Sequence, residues 1–194
     1  MVPRRTGKIP KHQGGGILKP PFHRSREASL APRSAAPHSP PTPLDEEPLH
    51  KAPENCGPTA NGLKKLDVWL GDGKWDAIHF NFGIHDRNTA PADYEQRLEQ
   101  IATRLEKAHA KLIWASTTPI PTDEAKKQTA ESIVERNAIA ARLMQQHGIA
   151  IDDLFTAITP HLAEMQNPND VHFDGKGYDF LGQQVAASIR TAMK

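Results

Sequence analysis

From Leu49 to the C-terminus, short apolar runs alternate with long amphipathic stretches, and few architectures accept that alternation. Asp76 to Phe82 and Lys111 to Ser116 are compact runs that read as strands, with Ile149 to Ile151 as a shorter third. Between the first two, Pro91 to His109 spaces Tyr94, Leu98, Ile101 and Leu105 by four and three residues, and Pro91 suits a first helical turn. Glu131 to Gln146 reads as a second long helix, stopped by Gly148. Gly62 to Leu70, with Leu63, Leu66 and Leu70 on one face and Asn61 as its cap, opens the series. Asp153 to Ile158, Pro160 to Gln166, and Gly177 to Met193 with Tyr178, Leu181, Val185 and Ile189 inward close it. Helices long enough to cross from one strand to the next make the strands parallel and cover both faces of the sheet. The expected class is a three-layer α/β/α fold.

Residues 1–48 have another texture. Proline, arginine, serine and histidine crowd them, as in Lys19-Pro20-Pro21 and Ser39-Pro40-Pro41-Thr42-Pro43, without a period of 2 or 3.6. They are expected to form a disordered tail before a domain at 49–194. The hydrophobic content of 37% in 194 residues agrees with a chain that is packed only in part. A net charge of +1 supplies no global field for nucleic acid or an anionic membrane, so function must be sought in a site. Cys56, the single cysteine, excludes an internal disulfide. No apolar run reaches membrane-span length, and Arg4, Arg5, Lys8 and Lys11 are followed by no hydrophobic leader. The cytoplasm is therefore the default compartment for the chain as given.

In parallel α/β sheets, ligands sit beyond the carboxyl ends of the strands. Polar residues gather at those ends here: Gly83-Ile84-His85-Asp86 after one strand, Ser116-Thr117-Thr118 after another. Asn55-Cys56-Gly57-Pro58-Thr59 stands ahead of them, and Asn169-Asp170-Val171-His172-Phe173 precedes the last helix. A histidine held on a loop against a carboxylate is how a fold presents a general base, which makes His172 the leading candidate. Cys56 offers a thiol, but a small residue packed in a loop explains it as well. His79, His85, Asp86 and His172 match no compact ligand spacing, so neither a metal nor another cofactor is expected. Trp69, Trp75 and Trp114 fall in or beside predicted elements, where core packing accounts for them.

In these motifs the chain resembles the SGNH or GDSL hydrolases, over about Leu49 to Met193. Asn55-Cys56-Gly57 is similar to the family's second block, Gly83-Ile84-His85-Asp86 to the third, and Asp170-Val171-His172-Phe173 to the fifth. The resemblance implies a flavodoxin-like fold and hydrolysis of acyl esters on small molecules or carbohydrates. A serine would attack the carbonyl, His172 would take its proton, and Gly57 with residue 85 would hold the oxyanion. Asn55 and Asp86 would shape the site.

Three departures accompany the resemblance. His85 stands where the family has asparagine, although an imidazole N–H can also donate to an oxyanion. The family acid lies three residues before the histidine, a place held here by Asn169, whereas Asp170 lies two before; either residue could orient His172. The first block, a central apolar strand running into Gly-Asp-Ser, has no counterpart before Leu49. Ser29, in Arg26-Glu27-Ala28-Ser29-Leu30, is a weak substitute for its serine, and the nucleophile is left open. Three classes follow: a serine ester hydrolase, an inactive remnant or binding module that keeps the pocket, and a hydrolase using Cys56 or a metal.

An out-of-frame first block would produce this excess of arginine, proline and serine. Sequencing the gene across its first fifty codons is expected to show a Gly-Asp-Ser-like block in another frame; its absence from every frame removes that explanation. Loss of a mid-sheet strand leaves buried backbone groups unpaired, and before Leu49 only Ile17-Leu18 is apolar enough to help. Marginal stability is expected, and a cooperative melt with ordinary resistance to proteolysis from Leu49 onward would contradict it.

Overall fold

The computed structural model describes residues 50–123 and 128–194. The proposed tail, Ser29 and the Ile17-Leu18 pair lie outside these residues. The elements run α1 (Thr59–Leu70), β1 (Ala77–Phe80), a 3-10 turn (Ile84–Asp86), α2 (Pro91–Glu106) and β2 (Lys111–Ala115). They continue through α3 (Ala130–Gln146), β3 (Ala150–Asp152), α4 (Leu154–Ile158), a second 3-10 turn (Thr159–His161), α5 (Leu162–Met165) and α6 (Gly175–Ala192). The strands are parallel, with Ile78 opposite Leu112 and Trp114 opposite Ile151. Among the described residues the sheet is three-stranded in the order β1-β2-β3, so β1 and β3 are its edges.

The pleat sorts side chains to the two faces. Ile78, Phe80 and Trp114 point into one core with Leu66 and Trp69 of α1, Leu98, Ile101 and Leu105 of α2, and Ala140, Leu143 and Met144 of α3. Each fully buried Leu or Ile in that core contributes about 1.5–3 kcal/mol. The other face carries His79 and Asp152 and is covered by α6, whose Gln184 donates to Asp152 Oδ1 at 3.3 Å. This is the expected three-layer α/β fold. All three tryptophans are buried.

Local chemistry moves several boundaries. Helix α1 begins at Thr59 rather than Gly62, and Asn61 does not cap it: Asn61 Nδ2 donates backward to Cys56 O at 3.0 Å. Asp174 accepts from Gly177 N at 2.8 Å, so α6 starts at Gly175, ahead of the expected Gly177. Strand β1 ends at Phe80 because Asn81 turns to donate to Ala115 O at 2.7 Å. Ile149 is buried in the core just before β3 rather than within it. The helix expected at Pro160 to Gln166 divides into a 3-10 turn and the four-residue α5.

The two long helices are clamped by a histidine. His147 caps α3 and places Nδ1 2.8 Å from Glu106 and Nε2 3.0 Å from Glu99, both on α2. The Glu99 hydrogen bond, reinforced by that to Glu106 and partly opposed by desolvation, raises the histidine above its usual pKa. A raised folded-state pKa gives stability that is fully present below the unfolded value, about 6.5, and is lost as pH rises through the folded value. His147→Gln is therefore expected to lower the urea midpoint more near pH 6 than near pH 9, because the contribution is lost as pH rises. Equal losses at both pH values would count against the clamp.

Candidate active site

Pro58, which precedes α1, has no side chain able to cap it, and the helix is capped from a distance. Asp86, fully buried after β1, accepts from Thr59 N at 2.8 Å and from Thr59 Oγ1 at 2.7 Å. A carboxylate at a helix N-terminus satisfies orphan donors and favours the dipole. Thr89 Oγ1 adds a third bond at 3.3 Å. Asp86 thus fastens the 55–59 loop to the turn that bears His85. Buried Arg136 of α3 holds the same turn, donating Nε to Asp86 O at 3.0 Å and Nη2 to Thr89 O, with its guanidinium 5.5 Å from the Tyr94 ring centre.

Asn55 Oδ1 accepts from Gly57 N at 3.0 Å, and Gly57 sits at φ +63°, where a side chain would be strained. The Gly57 N–H, expected to face an oxyanion, donates to Asn55 here. Cys56 is buried at 1% exposure, and burial, then the Glu54 charge, push its thiol up to about 11. A thiol so protonated is a poor nucleophile, which removes the support for a cysteine mechanism.

His85 is exposed on the 3-10 turn, while Ile84 beside it is buried. Desolvation of its ring, then the Arg87 charge, lower its pKa against the opposing pull of Asp86, so the imidazole is neutral at pH 7 and carries one N–H. Gly83 permits the turn to approach β2, since a Cβ there would meet Thr117 Oγ1 at 2.0 Å.

The His172 loop is closed by its own backbone. Asn167 N donates to His172 O at 2.9 Å, Asp174 N to Met165 O at 2.8 Å, and Gln166 Nε2 reaches Pro119 O beyond β2 at 2.8 Å. Asp170 Oδ1 lies 2.8 Å from His172 Nδ1. The hydrogen bond from His172, outweighing slight desolvation, lowers the Asp170 pKa, so the carboxylate is ionised and can only accept. Nδ1 is therefore the ring nitrogen that donates to Asp170. Of the two candidate orienting residues, Asp170 makes this bond; Asn169 takes φ +54° and turns the chain. Val171 and Ile84 pack on one small cluster with Ile120, Ile133 and Phe155, which brings the neighbours of His172 and His85 together.

Other expected groups lie elsewhere. His79 pairs with Asp152 at 3.0 Å, across β2, rather than with His85 or His172. Thr117, in the expected Ser116-Thr117-Thr118 cluster, has partners that escaped the sequence reading: Asn81 donates to Thr117 Oγ1 at 3.0 Å, and Asn137 bonds both Thr117 N and Thr117 O, at 2.9 and 2.8 Å. An asparagine inside α3, and Arg136 in one stripe with Ile133, Ala140 and Leu143, were its visible signals.

A strand-end site with an acid-oriented histidine, on a parallel sheet layered by helices, is the arrangement of a hydrolase of SGNH type. The chain belongs to the GDSL-like lipase/acylhydrolase family, whose model matches residues 56–180. Its ester-hydrolase class follows from that membership. The fold is similar to that of a lipase/acylhydrolase from Enterococcus faecalis, with TM-score 0.63 and 24% identity over 71% of this chain and 72% of that one. It is also similar to Axe2, an acetylxylan esterase from Geobacillus stearothermophilus (TM-score 0.60, 13% identity, 69% and 68% covered). A GDSL-like lipase from Bacteroides thetaiotaomicron is a third (TM-score 0.58, 16% identity, 70% and 72% covered). No curated protein sequence matched the chain.

Asp86→Ala is expected to cost about 3 kcal/mol, because it strips charged hydrogen bonds from Thr59 and leaves buried donors unpaired. Urea unfolding reads this as a lower midpoint at unchanged slope; a loss below about 0.5 kcal/mol would refute the long-range cap.

Proposed function

We propose that this protein hydrolyses acyl esters, with His172 as general base, Asp170 as the residue that orients it, and His85 as the oxyanion donor. The observation that carries the reading is the Asp170–His172 bond of 2.8 Å on a loop anchored to the carboxyl end of β2. In this reading Nδ1 donates to Asp170, and Nε2 takes the proton of a hydroxyl nucleophile as its oxygen attacks the acyl carbonyl. As the tetrahedral intermediate forms, the neutral His85 N–H donates to the developing oxyanion. Gly57 and Asn55 act through the shape of the loop that Thr59 and Asp86 hold in place. The substrate is a small-molecule or carbohydrate-linked ester. Acetylated xylan fragments are a sensible first carbohydrate, given the fold shared with an acetylxylan esterase.

One observation favours a second reading, a binding module that keeps the pocket without the chemistry. Ser116 donates to Asp153 Oδ1 and accepts from Phe155 N, Thr117 accepts from Asn81, and the Cys56 thiol is protonated. These side chains are engaged in structure rather than poised for attack.

p-Nitrophenyl acetate separates the two. The hydrolase reading expects His172→Ala to lower kcat/KM by about 10²–10⁴, Asp170→Asn to lower it less, and Cys56→Ala to leave it near the parent value. Turnover indifferent to His172→Ala overturns the assignment, and no turnover in the parent chain favours the binding module.

A further inference from the structure

Helices α1 and α2 both lead into the starts of strands, so their last turns lie at the end of the sheet opposite His85. A groove of about 510 Å³ lies between those turns. Sites for small molecules occupy roughly 300–1,000 Å³. Arg104 ties the two helices together, donating Nη1 to Leu63 O at 2.6 Å and pairing Nη2 with Asp67 at 2.6 Å. Trp75, Leu70 and Ala108 give the groove apolar lining, and the Trp75 indole N–H is engaged by Leu70 O at 3.2 Å. The chain turns past the groove through Gly71, at φ +54°, where a Cβ would meet nothing within 4 Å.

The charge on this lining is one-sided. Lys74 and Lys107 line the groove, both are exposed, and among the described residues neither has an ion pair. Asp67, the lining carboxylate, is taken up by Arg104. Asp72 and Glu106 stand close in sequence but do not line the groove, and Glu106 bonds His147. The carbonyl ends of α1 and α2 add about half a negative charge each, which the three cations still exceed together with Asp67.

We propose that this groove binds a small organic anion, an acidic group borne on an apolar ring. Lys74 and Lys107 hold the acid, and Trp75, Leu70 and Ala108 pack against the ring. An ammonium on a flexible stem adapts to a phosphate or a carboxylate as a point charge. The ring loses its contact with water against the apolar lining, so acid and ring together bind better than either alone. The groove is separate from the ester site, and its occupancy does not need His172.

Proton–nitrogen correlation NMR of the full chain, titrated with phenyl phosphate and separately with benzoate, tests this. Saturable shifts are expected at Gly71, Gly73 and the Trp75 indole N–H with at least one acid, and the tighter acid identifies the head group. His172→Ala is expected to leave them unchanged. Lys74→Gln and Lys107→Gln are each expected to raise Kd about threefold, and the double substitution about tenfold. The dispersion of the same spectra shows that these surface variants fold. Raising sodium chloride from about 50 to about 500 mM in the parent is an independent check, and it should weaken binding severalfold. Phenol and inorganic phosphate are expected to bind at least about fivefold more weakly than the preferred acid. No saturable shift with either acid overturns the proposal, as do shifts centred on His85 or the His172 loop. Affinity indifferent to both the double substitution and salt, or equalled by phenol, overturns it as well.

Discussion

The carboxylate of Asp86 is the interaction on which the site depends. It lies in the protein interior, at the end of a turn, and it caps a helix that begins 27 residues earlier in the chain. Without it, Thr59 N and Thr59 Oγ1 would be buried donors lacking an acceptor, and the loop of Asn55 to Pro58 would have no fixed relation to His85. Arg136 completes the arrangement from α3 by gripping the backbone of the same turn. One buried carboxyl side chain and one buried guanidinium, each bonded largely to uncharged partners, bring three separate elements to one place.

Around that junction the division of labour is clear. The apolar core of α1, α2, α3 and the sheet fixes the strand ends, and short polar bonds then set individual side chains. Gln166 ties the His172 loop to the end of β2, Asn137 holds Thr117, and Ile84 and Val171 meet on one hydrophobic cluster. The result is a neutral imidazole at His85 and an Asp-oriented imidazole at His172. The surroundings of these two histidines differ: desolvation and a cation act on one, and an ionised carboxylate bonds the other.

Much of this was legible in the sequence. The period of the apolar residues marked α2 and α3 to within a few residues, since an amphipathic stripe is a local property. The order of the polar clusters after the strands pointed to His85, Asp86 and His172. Helix starts were read less well. Asn61 looks like a cap by residue type, yet a cap is decided by which acceptor reaches the free N–H, and at α1 that acceptor came from Asp86. Gly57 showed the same limit, because a glycine in a motif does not reveal that Asn55 takes its N–H.

The sequence by itself determined the α/β class, the parallel sheet and the residues that could do acid–base chemistry, because periodicity and residue type are carried by neighbours along the chain. Only the tertiary structure decided which of Asn169 and Asp170 bonds His172, and that Cys56 is packed away from solvent. Those outcomes depend on burial and on partners distant in sequence, and a linear pattern holds no record of either.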